Sequence, residues 1–197
     1  MTTSTGNIIW QAGTAAANYN WIKTVSDALL AVGLTQDGTV SGQIVTTAPI
    51  GSGSIAPPAS YTGGTTLVGY QIFRMISGGL PDIIIRVEFG LFCSSSGTSA
   101  LLLYPNIGIT TGTGVNTSTG AITGTISSQM LSTAGSSSAG SGATSPPTSA
   151  RPYYFASDGS NWLSMMVDPQ QSLSLPTCTT CAMSIERTID PITQNYD

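Results

Sequence analysis

The spacing of apolar residues along this chain changes once. Between residues 19 and 33, Trp21, Val25, Ala28, Leu29 and Val32 recur at i, i+4, i+7, i+8 and i+11, which places them on one stripe of a helix. Asn18 or Asn20 is positioned to cap its start, and Gly33 follows the last apolar residue as a helix-ending glycine does. Lys23 and Asp27 stand four apart on the opposite face. After this the period becomes two. In DIIIRVEFG, Ile83, Ile85, Val87 and Phe89 alternate with Ile84, Arg86 and Glu88, and in GYQIFRMI, Tyr70, Ile72, Arg74 and Ile76 alternate with Gln71, Phe73 and Met75. The intervening SGGLP predicts a turn, so the two runs form an antiparallel hairpin.

Further strands are expected around residues 101–104, at RPYYF, at NWLSMMV and at CAMSIERTID, with ASDGSN as the turn between the second and third. QIVTTAPI reads as a short strand, and the Gly- and Thr-rich residues 110–125 as wide loops or short strands. In the last strand Arg187 falls on the apolar side, so that end is either exposed or gives the arginine a partner. The expected fold class is mainly β: an antiparallel β-sandwich or barrel-like sheet with one N-terminal amphipathic helix. One domain over residues 1–197 is expected, with its β-rich core at 68–130 and 151–190. Residues 131–150 carry almost no large apolar side chain and no charge. They read as a Ser/Gly-rich loop, or as an arm ordered by a neighbour, because they bury too little area to offset their own ordering.

Composition alters this picture in one respect. Only 7% of the 197 residues are charged, against about a quarter in ordinary soluble domains, while 40% are hydrophobic and 23 are Gly. With a net charge of −4 spread over 20.1 kDa, little opposes close approach of neighbours. This favours a subunit packed on several sides. The five basic residues are scattered and the pI is near 4.4, so neither nucleic acid nor an anionic membrane is an expected partner. No apolar run is long enough for a membrane span, and no secretory signal is legible at the start, so synthesis in a cytoplasm is expected.

The chemistry is sparse. The chain has no histidine, which removes the usual general base and the usual metal ligand together. Cys178 and Cys181 form a C-x-x-C pair, but Cys93 is the only other cysteine, and the pair precedes a strand rather than opening a helix. Two free thiols beside a turn are expected, or a disulfide after release to an oxidising environment; no metal and no cofactor is. Asp158, Asp168, Asp82 and Glu88 are the carboxylates a hydrolase would have to pair, yet Glu88 with Arg86 reads as a solvated face and Asp158 as a turn former. Trp162, Tyr153 and Tyr154 are the candidates for surface recognition, although core or interface packing is the stronger reading for Trp162.

The order of these features resembles that of small virion structural proteins of tailed bacteriophages. Such sequences show runs of the type GYEIW+F, IEYG and ERxRD, which GYQIFRM, VEFG and ERTID resemble here. The Ser/Gly-rich arm and the CTTC element are departures from that class. The resemblance implies a structural subunit located in the virion, working by self-association and by packing against other virion proteins. The tail or a tail-attached structure is the first expectation, and a capsid decoration protein an alternative. It brings no catalytic residue, and an enzyme is not expected. The other class open at this point is a receptor-binding β-domain on a fibre or particle surface, with a host-surface glycan as ligand.

Overall fold

The computed structural model describes residues 1–9, 20–44, 64–93, 103–132, 150–167 and 181–187. Among them lie strands β1 (Thr2–Ile9), β2 (Thr35–Gln36), β3 (Gly64–Met75), β4 (Ile83–Cys93), β5 (Leu103–Val115), β6 (Ile122–Ser132), β7 (Ala150–Ser157), β8 (Trp162–Val167) and β9 (Cys181–Glu186), and one helix, α1 (Asn20–Ala31). Two antiparallel sheets form, one in the order β1-β7-β8-β9 and the other in the order β2-β3-β4-β5-β6. The protein is thus mainly β and sandwich-like, with one short helix among the described residues.

Helix α1 starts and stops close to where its pattern predicts. Val25, Ala28, Leu29 and Val32 are buried, joined by Ile22. Its end is a Schellman motif: Leu34 N–H donates to Leu29 C=O and Gly33 N–H to Leu30 C=O, with Gly33 at φ 96°. Leu34 and Leu29 are both buried, the hydrophobic contact that accompanies this motif. Asn18 lies outside the described residues.

The inner faces of both sheets and the apolar stripe of α1 share one core. Phe73 and Met75 of β3, Ile83, Ile85, Val87 and Phe89 of β4, Ile107 and Ile109 of β5, Tyr153 and Phe155 of β7, Leu163, Met165 and Val167 of β8 and Met183 of β9 all belong to it. Each large side chain so buried contributes about 1.5–3 kcal/mol. The alternation read from the sequence selects these residues because successive strand positions point to opposite faces. The expected β3–β4 hairpin forms, with Phe73 opposite Ile85 and Met75 opposite Ile83.

Two regions differ from expectation. A strand precedes the helix: TTSTGNII pairs along its length with β7, although only Ile8 among its described side chains is buried. A mostly hydroxylated strand carries no apolar alternation, so the pattern did not reveal it. Residues 110–125 take the strand alternative rather than the wide loops, and the strands are longer than expected: they form the turn end of a long β5–β6 hairpin. Gly108, Gly112 and Gly114 fall on one face of β5, and a Cβ there would meet Glu88, Ile122 or Thr123. The glycines mark close neighbours rather than the absence of a strand. QIVTTAPI lies outside the described residues beyond Ile44, as do residues 133–149 of the Ser/Gly-rich segment; Leu131 and Ser132 end β6, and Ala150 opens β7.

The outer face of the five-stranded sheet is covered over its middle by the chain's own loops. Val40, Ile72 and Ile84 form a second buried cluster there, with Tyr70, Val115 and Ile122 against it. Residues 37–44 lie over it: Asp37 accepts from the Arg74 guanidinium at 2.6 and 2.8 Å, and the Tyr70 hydroxyl donates to Ser41 C=O at 2.7 Å. The turn at 116–121 extends the cover beside Tyr70 and Arg86, while Leu67 further along β3 stays exposed. Arg86 lies 4.0 Å from the Tyr70 ring centroid and donates to Gly120 C=O and to Glu88. Arg86 is therefore not on a solvated face, because the turn and the tyrosine enclose it.

Candidate functional site

The outer face of the four-stranded sheet is built differently. Register brings Thr5, Tyr154, Met166 and Ala182 into one row across all four strands, and Thr3, Ala156, Ser164 and Ser184 into the next. Tyr154 is 52% exposed and Met166 38%, which places two large apolar side chains side by side in water. Around them stand small and hydroxylated residues, of which Thr3, Thr5, Ala182 and Ser184 are exposed. No charged residue occurs in either row. These two rows form an uncharged patch with an apolar centre.

The structure separates the three aromatic residues selected for recognition. Tyr153 and Tyr154 are neighbours in β7 and so point to opposite faces. Tyr153 is 8% exposed, edge-on to Phe155 at 5.1 Å in the core, with its hydroxyl 3.3 Å from the Ser4 hydroxyl. It does not belong to a recognition surface, because strand alternation turns it inward beneath Gly6. Trp162 shares the outer face with Tyr154 but is half-buried, opposite Glu186 at the other end of β8. The row containing Ala156 and Ser164 lies between them, about 13 Å of strand.

That other end is a clamp. The Asp158 carboxylate accepts backbone hydrogen bonds from Ser160, Asn161 and Trp162 at 2.7–3.0 Å, closing the β7–β8 turn. Burial pushes its carboxyl up, but these N–H donors and the Asn161 side chain outweigh that and hold it down at about 2. Arg187, 7% exposed, donates to Ser160 C=O in this turn and to Pro81 C=O in the β3–β4 turn, tying the two sheets together. The arginine on the apolar side of the last strand has thus found partners, and they are backbone carbonyls.

The carboxylates are used in structure. Asp82 pairs with Arg74 at 3.2 Å and Glu88 with Arg86 at 2.8 Å. Burial raises Asp37, but hydrogen bonds from the Thr39 side chain and backbone and from Arg74 outweigh it, so its carboxyl stays below the ordinary value. Lys23 pairs with Asp27 on the helix, as its spacing predicts. Sequence reasoning missed the Asp37–Arg74 pair, whose members are 37 residues apart with no local signal joining them. Asp168 and Cys178 lie outside the described residues; Cys181 begins β9, and its side chain is not among those described. Among the described residues, no three His, Cys, Asp or Glu side chains group as metal ligands would.

Comparison of the chain with protein-family models, with curated proteins and with solved structures finds no match.

Proposed function

We propose that this chain is a structural subunit that works by packing against neighbours, in a particle of the tailed-bacteriophage kind. The observation that carries the packing role is the pair of uncharged central rows on the outer face of β1-β7-β8-β9, with Tyr154 and Met166 exposed in one of them. An apolar pair in an uncharged surround gains free energy when a partner covers it, at about 25 cal/mol per Å² of apolar area removed from water. The low charge of the whole chain supports the same reading, since packed subunits need little charge to stay soluble. The particle type rests on the sequence resemblance of GYQIFRM, VEFG and ERTID to virion proteins, with a tail or tail-attached position first and capsid decoration as the alternative.

The test is mass spectrometry of purified source particles, followed by antibody-gold labelling in the electron microscope. The chain should be present at many copies per particle, with gold at one fixed position that separates tail from capsid. A chain abundant in the lysate and missing from particles would refute the proposal.

A second reading, glycan binding on the same face, draws on Tyr154 and Trp162 sharing it. Their separation by the Ala156–Ser164 row argues against one sugar stacking on both, and favours packing over glycan recognition. Glycan-array binding abolished equally by Tyr154→Ala and Trp162→Ala would reverse that preference.

A further inference from the structure

The five basic residues of the chain share a feature that the packing role does not use: none lies in a stretch between elements. Lys23 is in α1, Arg74 in β3, Arg86 in β4 and Arg151 in β7, and Arg187 directly follows β9. The stretches outside the described residues, 10–19, 45–63, 94–102, 133–149, 168–180 and 188–197, contain no Lys and no Arg. Neither do the turns at 76–82, 116–121 and 158–161. Exposed connections are where folded proteins are ordinarily nicked.

A protease of the trypsin type draws a Lys or Arg side chain into a pocket with a carboxylate at its base, and it takes the flanking backbone as an extended strand. At each basic residue here the fold withholds at least one of the two. The backbone at Arg74 is paired on both sides, with Thr35 of β2 and Ile84 of β4, and that at Arg86 with Ile72 of β3 and Thr110 of β5. Their guanidinium groups are held by Asp37, Asp82 and Glu88. Lys23 stands in α1 between the buried Ile22 and Val25, so extending the backbone there pulls both out of the core. Arg151 is paired with Ile8 of β1 and is followed by Pro152, whose ring and missing N–H make the Arg–Pro bond a poor substrate. Arg187 is 7% exposed, and its guanidinium donates to the Ser160 and Pro81 carbonyls, out of reach of a pocket until two turns release it.

We propose that the folded chain is refractory to proteases that cut after Lys or Arg, because each such bond becomes available only when the element holding it unfolds. Cleavage then follows the opening of α1 or of a sheet, and not the exposure of a connection. The device lies in where the basic residues stand, and it is independent of what the outer face of β1-β7-β8-β9 packs against.

The test is timed digestion of the full-length chain with trypsin, read by intact mass, with circular dichroism as the check on folding. The folded chain should be lost at least about a hundredfold more slowly than the same chain unfolded in urea, with the enzyme's own urea sensitivity read from a short arginine peptide. Ser138→Lys places one basic residue in the Ser/Gly-rich stretch, whose composition buries too little area to offset its ordering. That variant should keep its β spectrum, be cut at this one bond at about the rate of the unfolded chain, and give two fragments that persist. Cleavage of the folded parent after any of its five basic residues at near the unfolded rate overturns the inference. A Ser138→Lys variant that stays as intact as the parent overturns it too, since resistance would then come from something other than the placement of the basic residues.

Discussion

The two sheets of this protein have the same alternation and opposite outer surfaces. Over the five-stranded sheet, residues 37–44 and 116–121 fold back, bury Val40, Ile72 and Ile84, and hold Arg74 and Arg86 in ion pairs and carbonyl contacts. Over the four-stranded sheet, Tyr154 and Met166 stand in water among hydroxyls. Two of the chain's four arginines thus fasten a loop cover to one sheet, while the central rows of the other sheet's outer face receive no charge at all. The difference teaches that scarce charge is placed where the chain covers itself and is absent from the central rows left open, where the proposed packing role would bring a neighbour. Substitutions on the covered face should therefore cost folding stability, and those on the bare face should cost association.

The largest effect is expected at Asp37. Asp37→Ala leaves Arg74 half-buried with only Asp82 as a partner and removes the Oδ1 that accepts both Thr39 hydrogen bonds, so thermal or urea denaturation should show a loss of about 3 kcal/mol. Gly120→Ala follows at about 2 kcal/mol. Gly120 sits at φ 67°, where L-residues are strained, and an added Cβ would fall 2.3 Å from the Tyr70 ring. Arg86→Met should cost about 1 kcal/mol by removing the stacking on Tyr70 and the bond to Gly120 C=O while keeping the apolar stem. If all three leave stability unchanged, the cover is not what holds that face, and the comparison fails.

Acid sharpens the comparison, because each sheet end has one depressed carboxylate. The folded Asp158 carboxyl lies at about 2, below its ordinary 3.8, so its contribution is fully present above pH 3.8 and is lost as pH falls through about 2. Asp37 is depressed in the same direction and loses its contribution in the same sense. Asp158→Asn should flatten the stability profile between pH 3.8 and 2, measured by thermal denaturation at each pH, without altering it near neutrality by more than the lost turn bonds. The smallest effect on folding belongs to the bare face. Tyr154→Ser should change unfolding stability by within about 0.5 kcal/mol while reducing association in sedimentation. A large loss of folding stability there would show that Tyr154 belongs to the fold and not to a contact.

Much of the architecture was legible in the residues. The helix with its glycine stop, the β3–β4 hairpin with its turn, and strands β7, β8 and β9 all follow from local period and local turn chemistry, which depend on residues a few positions apart. Strand β1 was not legible: its side chains are hydroxylated and mostly exposed, and its partner β7 lies about 150 residues away in sequence. The same holds for the site. Sequence offered Tyr153, Tyr154 and Trp162 as a group; only the β7–β8 register and the side each residue takes divide them, with Tyr153 in the core, Tyr154 on the bare face and Trp162 at its far end. Local pattern determined which segments are strands and which of their residues are apolar. Tertiary structure decided which sheet receives a cover and which is left open, because a loop's choice of face depends on where distant groups such as Asp37 and Arg74 are brought together, and no short-range pattern encodes that.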